Sequence, residues 1–86
     1  MPYISEFYGI TIRMYYDEHN PPHFHAYYQG KRGTFDLNGQ FLKGSLNNKT
    51  ALALIKQWAK EKNFELVENW QHIEEGILLN KIRPLD

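Results

Sequence analysis

The sequence contains no cysteine. Disulfide scaffolds, thiol catalysis and cysteine-ligated zinc sites are therefore excluded. It has no charge excess either: ten Lys plus Arg face ten Asp plus Glu. A protein that binds nucleic acid with its whole surface would be basic, so only a local basic patch stays open. No apolar run approaches the roughly 20 residues that span a bilayer. The start, Met1-Pro2-Tyr3-Ile4-Ser5-Glu6, lacks the basic region and apolar stretch of a secretory signal. The expectation is a cytoplasmic protein without membrane association. What is present suffices for a core: 42% of the 86 residues are hydrophobic and 15% aromatic, too many for a disordered tail. The length predicts a single domain over residues 1–86.

The first half has strand periodicity. Ile10, Ile12, Met14 and Tyr16 alternate with Thr11, Arg13, Tyr15 and Asp17. A shorter segment, Tyr3 to Tyr8, precedes them, with Gly9 at the turn. Asn20-Pro21-Pro22 interrupts any ladder, because proline has no N–H to donate. His23 to Gln29 alternates again, Gly30 to Gly33 is predicted as a turn, and Thr34 to Leu37 is a third strand. Asn38-Gly39 is a hairpin signal, and Phe41 to Ser45 returns as the last strand.

The second half has helix periodicity. Asn47 or Asn48 can cap a helix whose apolar face is Ala51, Leu52, Ile55, Trp58 and Ala59. Lys49, Lys56 and Lys60 fall on its opposite face. Asn63 stops this helix and can cap the next, on which Leu66, Trp70, Ile73 and Ile77 form one face and Gly76 marks the end. The tail has no period and is expected to be extended, pinned by Ile82 and Leu85. The fold class is α+β: an antiparallel meander over about residues 3–45, with two C-terminal helices, near 48–62 and 64–75, on one face.

This layout divides the side chains. If the helices cover Ile10, Ile12, Met14, Phe24, Ala26, Phe35 and Leu37, the other face carries Arg13, Tyr15, Asp17, His23, His25, Tyr27, Thr34 and Asp36. An ordinary solvated face would be rich in Lys, Glu and Thr instead. His19, His23 and His25 lie within seven residues, and His23 and His25 at i, i+2 of a strand point the same way. Three readings stand open. His19, His23 and His25, with Asp17 or Asp36, suit a divalent metal such as zinc. Two histidines, with Arg13 or a lysine to stabilise the developing charge, suit acid–base catalysis on a phosphodiester. Hydrogen bonding within an edge strand, or an interface, needs no chemistry at all. His72, between Trp70 and Ile73, is expected at a core boundary.

Charge is segregated along the chain. Lys31, Arg32, Lys43, Lys49, Lys56 and Lys60 face Asp36 alone over residues 31–60, and Lys31, Arg32, Lys49, Lys56 and Lys60 are candidates for phosphate contact. Over residues 61–75, five glutamates face Lys62, which suits a basic partner. Lysines opposite an apolar helix face are, however, what any surface helix shows. Arg13, Tyr15 and Tyr27 would suit stacked single-stranded bases.

The run Phe7-Tyr8-Gly9-Ile10-Thr11-Ile12-Arg13-Met14-Tyr15-Tyr16-Asp17-Glu18-His19-Asn20-Pro21-Pro22-His23-Phe24-His25-Ala26 resembles the signature of the small bacterial domain-of-unknown-function family 4160. Ala51-Leu52-Ala53-Leu54, Trp58-Ala59, Glu68-Asn69-Trp70 and Lys81-Ile82-Arg83-Pro84-Leu85 resemble it too. The resemblance singles out Asp17, His19, Pro21, Pro22, His23, His25, Trp58, Asn69 and Trp70. It implies a toxin of a toxin–antitoxin pair, whose small antitoxin-like partner is of domain-of-unknown-function family 2442. The expected target is nucleic acid or the translation machinery. The alternative is a non-catalytic module that binds a protein or DNA through the same face.

Overall fold

Two-residue loops set the architecture. Phe7 pairs with Ile10 and Tyr28 with Lys31, which leaves Tyr8-Gly9 and Gln29-Gly30 as the connections. All four loop residues have positive φ, at 49°, 78°, 50° and 78°. That is type I′ geometry, whose twist matches the flanking strands. The computed structural model describes residues 3–86; Met1 and Pro2 lie outside the described residues. The strands β1 (Ser5–Phe7), β2 (Ile10–Arg13), β3 (His23–Tyr28), β4 (Lys31–Asp36) and β5 (Phe41–Gly44) form one antiparallel sheet in sequence order. The helices α1 (Lys49–Glu61) and α2 (Asn63–Glu75) follow. The chain is thus α+β, a five-stranded antiparallel sheet with two C-terminal helices.

Two expected boundaries move. The turn expected over Gly30 to Gly33 is only Gln29-Gly30, because Gln29 itself takes positive φ, so Lys31, Arg32 and Gly33 belong to β4. The alternation expected through Asp17 ends at Arg13, and Glu18 N–H closes a turn on the Tyr15 carbonyl at 3.4 Å. At Asn38-Gly39 the Asp36 carboxylate accepts from the Asn38 and Gln40 amides at 2.9 and 3.0 Å. Gly39, at φ 86°, is required there: a Cβ would sit 2.8 Å from Ala59 Cβ and Lys56 Cα.

The helices bury the apolar side of the sheet. Ile10, Ile12, Met14, Phe24, Ala26 and Phe35 are completely buried, and so is Trp58 of α1. The Trp58 ring lies 5.5 Å from Phe7 and 5.6 Å from Phe24, centroid to centroid. Asn48 caps α1 by accepting from Ala51 N–H at 2.9 Å. Asn63 does not cap α2; its side chain donates to the Leu37 carbonyl at 2.8 Å and ties the helix to the β4–β5 loop. The α2 helix ends at Gly76, at φ 71°, where Ile77 N–H returns to the His72 carbonyl. Ile77, expected on the buried face, therefore lies beyond the helix and is half-exposed.

Two residues picked out by their signature hold the tail. Trp58 Nε1–H donates to the Arg83 carbonyl at 2.9 Å. Asn69, completely buried, donates to the Asn80 carbonyl at 2.8 Å and accepts from its amide at 2.9 Å. Ile82 N–H donates to the Ile4 carbonyl, and Ile82 and Leu85 are buried. Among the described residues, no helix is long and apolar enough to cross a membrane.

Candidate functional site

Strand parity places the two histidines. Phe24 and Ala26 claim the core side of β3, so His23 and His25 share the open side. Their rings lie 5.2 Å apart, nearly perpendicular. The segment after β2 folds back over them and delivers Glu18 between the two. One carboxylate oxygen lies 2.5 Å from His25 Nε2 and the other 3.1 Å from His23 Nε2. The outer ring nitrogens are also engaged: His23 Nδ1–H donates to the Pro21 carbonyl at 2.7 Å, and His25 Nδ1 meets the Thr34 hydroxyl at 3.3 Å. One ring nitrogen from each histidine and a Glu18 oxygen lie within 4.8 Å of one another. They open on a groove of about 410 Å³, lined also by His19, Asn20, Leu42 and Lys43.

Burial alone would push the Glu18 carboxyl up. The hydrogen bond from His25, with the charge and hydrogen bond of His23, outweighs it and holds the group below the ordinary glutamate value. The cluster is continuous with a second group on the same face. Tyr15 lies 5.3 Å from the His25 ring, and its hydroxyl is 2.9 Å from that of Tyr27. The Arg13 guanidinium sits 5.8 Å over the Tyr27 ring, and Arg32 pairs with Tyr27 across the β3–β4 ladder. Burial, together with the hydrogen bond and charge of Tyr27, pushes the Tyr15 hydroxyl up to about 12 against the lowering pull of Arg13 and Arg32.

The expected metal set was His19, His23, His25 and Asp17. The structure gathers His23 and His25 with Glu18, while Asp17 is exposed and outside the cluster. The β2 alternation that would carry Asp17 to this face ends four residues earlier, at Arg13. His19 lines the groove but is exposed and contributes no atom to the cluster. Asp36 is committed to its turn. Glu18 is the missed residue, and its only signal is its place between Asp17 and His19 in the same loop. His23 is also not remote from the helices, since its ring lies 5.4 Å from Trp70 of α2.

The basic residues do not form one surface. Arg32 shares the open face with Tyr27, whereas Lys31 pairs with Tyr28 on the other side. Lys49, Lys56 and Lys60 ride on α1, across the sheet from the histidines. His72 donates from Nδ1 to the Leu78 carbonyl at 3.0 Å and stands apart from the cluster.

Chemically, a carboxylate bridging two imidazoles can orient them for proton transfer, and the same three groups can ligate a metal. No curated protein and no solved structure matches the chain. The profile of one family, described as a domain of unknown function (DUF4160), matches residues 9–71. That span runs from the β1–β2 turn into α2 and includes Glu18, His23 and His25. The chain belongs to the DUF4160 family.

Proposed function

We propose that this protein acts on single-stranded nucleic acid at its open sheet face, as the cytoplasmic toxin-type member of a two-protein module. The observation that carries the reading is the Tyr15–His25 contact at 5.3 Å. It joins the histidine–glutamate cluster to a platform of Arg13, Tyr15, Tyr27 and Arg32. Aromatic rings and guanidinium groups on a sheet suit stacked bases and their phosphates. Imidazoles held by a carboxylate suit proton transfer at a phosphodiester beside them. The partner, a small antitoxin-like protein, follows from the family resemblance.

Induced expression with and without the neighbouring gene tests this, with wild type beside His25→Ala and His23→Ala. Growth arrest that needs the histidines and is relieved by the neighbour supports the reading. Wild-type expression that leaves growth and RNA intact counts against it. A second reading is favoured by the packing of His23 on Trp70: the cluster then braces a non-catalytic face that binds a partner. In that case the histidine variants lose the partner, whereas an enzyme loses toxicity while keeping both partner and fold.

A further inference from the structure

We infer that Glu18, His23 and His25 form a site for one divalent transition-metal ion, with zinc the first ion to test. It occupies the face assigned above to nucleic acid and rests on that reading only for the substrate; ion binding itself is measured without nucleic acid.

His23 carries the inference furthest. Its Nδ1 faces a carbonyl, which can only accept, so Nδ1 holds a hydrogen. Nε2 is then the position left for a proton or an ion, aimed at a carboxylate oxygen 3.1 Å away: it holds a proton when the ring is charged and hydrogen-bonded to Glu18, and a lone pair when the ring is neutral. Two lone pairs face each other unless a proton or a cation lies between them. His25 presents Nε2 to the same carboxylate, with its Nδ1 on the Thr34 hydroxyl. Inward Nε2 atoms with outer nitrogens held by a carbonyl and a hydroxyl are the arrangement found around metal-bound histidine.

The spacing is compatible. Tetrahedral zinc with bonds of about 2.0–2.1 Å holds its ligand atoms about 3.4 Å apart. The two Glu18 oxygens each face one Nε2, at 3.1 Å for His23 and 2.5 Å for His25, so an ion that takes one of them requires that oxygen to move until it lies about 3.4 Å from both nitrogens. Rotation of the partly exposed Glu18 side chain supplies such a shift. Two imidazoles and one carboxylate are a set that zinc accepts, and the groove leaves a further position for water. A bound ion there would supply Lewis acidity and an activated water.

The test uses the full chain stripped with chelator. Zinc is titrated by calorimetry, and cobalt(II) is added as a spectroscopic probe. One zinc per chain and a visible cobalt band of a low-coordinate site are expected. Glu18→Gln, His23→Ala and His25→Ala should each weaken binding by more than about 100-fold, and Thr34→Val, which removes an outer partner, by about 10- to 100-fold. His19→Ala should bind like wild type. Circular dichroism of each variant separates a lost ligand from a lost fold, and the isosteric Glu18→Gln serves if an alanine variant unfolds. Folded wild type that takes up neither ion, or a Glu18→Gln protein that binds as tightly as wild type, would overturn the site. Zinc binding without growth arrest would sink the nucleic-acid reading alone; histidine-dependent arrest without zinc binding would sink the metal alone.

Discussion

His23 Nδ1 lies 2.7 Å from the carbonyl oxygen of Pro21, two residues back along the chain, and this contact turns Nε2 toward Glu18. A carbonyl accepts only, so the ring has one permitted arrangement at Nδ1. Nitrogen-15 spectra of labelled protein should show His23 protonated at Nδ1 with and without zinc, and zinc should move the Nε2 resonance far more than that of Nδ1. A neutral His23 with its proton on Nε2 would show that the Pro21 contact does not hold in solution.

The division into sheet and helices was legible because the apolar period changes from two to near four around residue 46. Parity within one strand was equally legible: Phe24 and Ala26 leave His23 and His25 no other side. Parity failed where the strand stopped. Beyond Arg13 the chain turns, so alternation carries no information on whether Asp17, Glu18 or His19 reaches the histidines. The basic residues failed for a different reason. A charge count along residues 31–60 has no side, and the fold puts Arg32 on one face of the sheet and Lys56 on a helix covering the other. The contact of Trp70 with His23 depends on where α2 crosses the sheet, which no local period encodes.

Trp58 links three parts of the protein: Phe7 of β1, Phe24 of β3 and, through Nε1, the tail at Arg83. Trp58→Ala should cost about 3–5 kcal/mol, since the completely buried ring leaves a cavity between sheet and helix. Against a typical stability of about 5–15 kcal/mol, that approaches unfolding. Trp58→Phe keeps most of the apolar contact and loses the bond to Arg83, so about 1 kcal/mol is expected. Urea denaturation of the two variants checks both figures. Equal effects would mean that the hydrogen bond, and not the ring, is what Trp58 contributes.

Glu18 is held below the ordinary glutamate value even though its burial pushes the other way, because His25 and His23 favour the carboxylate. The carboxyl carbon of Glu18 should therefore titrate below the free-glutamate value, and His25→Ala should move it up. The unfolded chain binds this proton first as pH falls. The stabilisation is thus complete above the unfolded value and is lost as pH drops through the folded one. A Glu18 titration unmoved by His25→Ala would show that the pair is not coupled.

Tyr15 gives the opposite case, at high pH. Its hydroxyl is pushed up to about 12, first by burial and then by the hydrogen bond and charge of Tyr27, with Arg13 and Arg32 pulling it down. An unfolded tyrosine loses its proton near 10. Between these values the unfolded chain has released the proton and the folded chain still holds it, so stability falls as pH rises from about 10 towards 12. Urea midpoints measured across that window should drop for wild type and drop less for Tyr15→Phe, which has no proton to lose there. Tyr27→Phe removes the hydrogen-bond partner and should bring the Tyr15 titration, followed by carbon-13 at Cζ, back toward 10. A Tyr15 that titrates near 10 in the wild type would mean that its hydroxyl is neither buried nor paired with that of Tyr27, and the platform beside the histidines would lose its most ordered element.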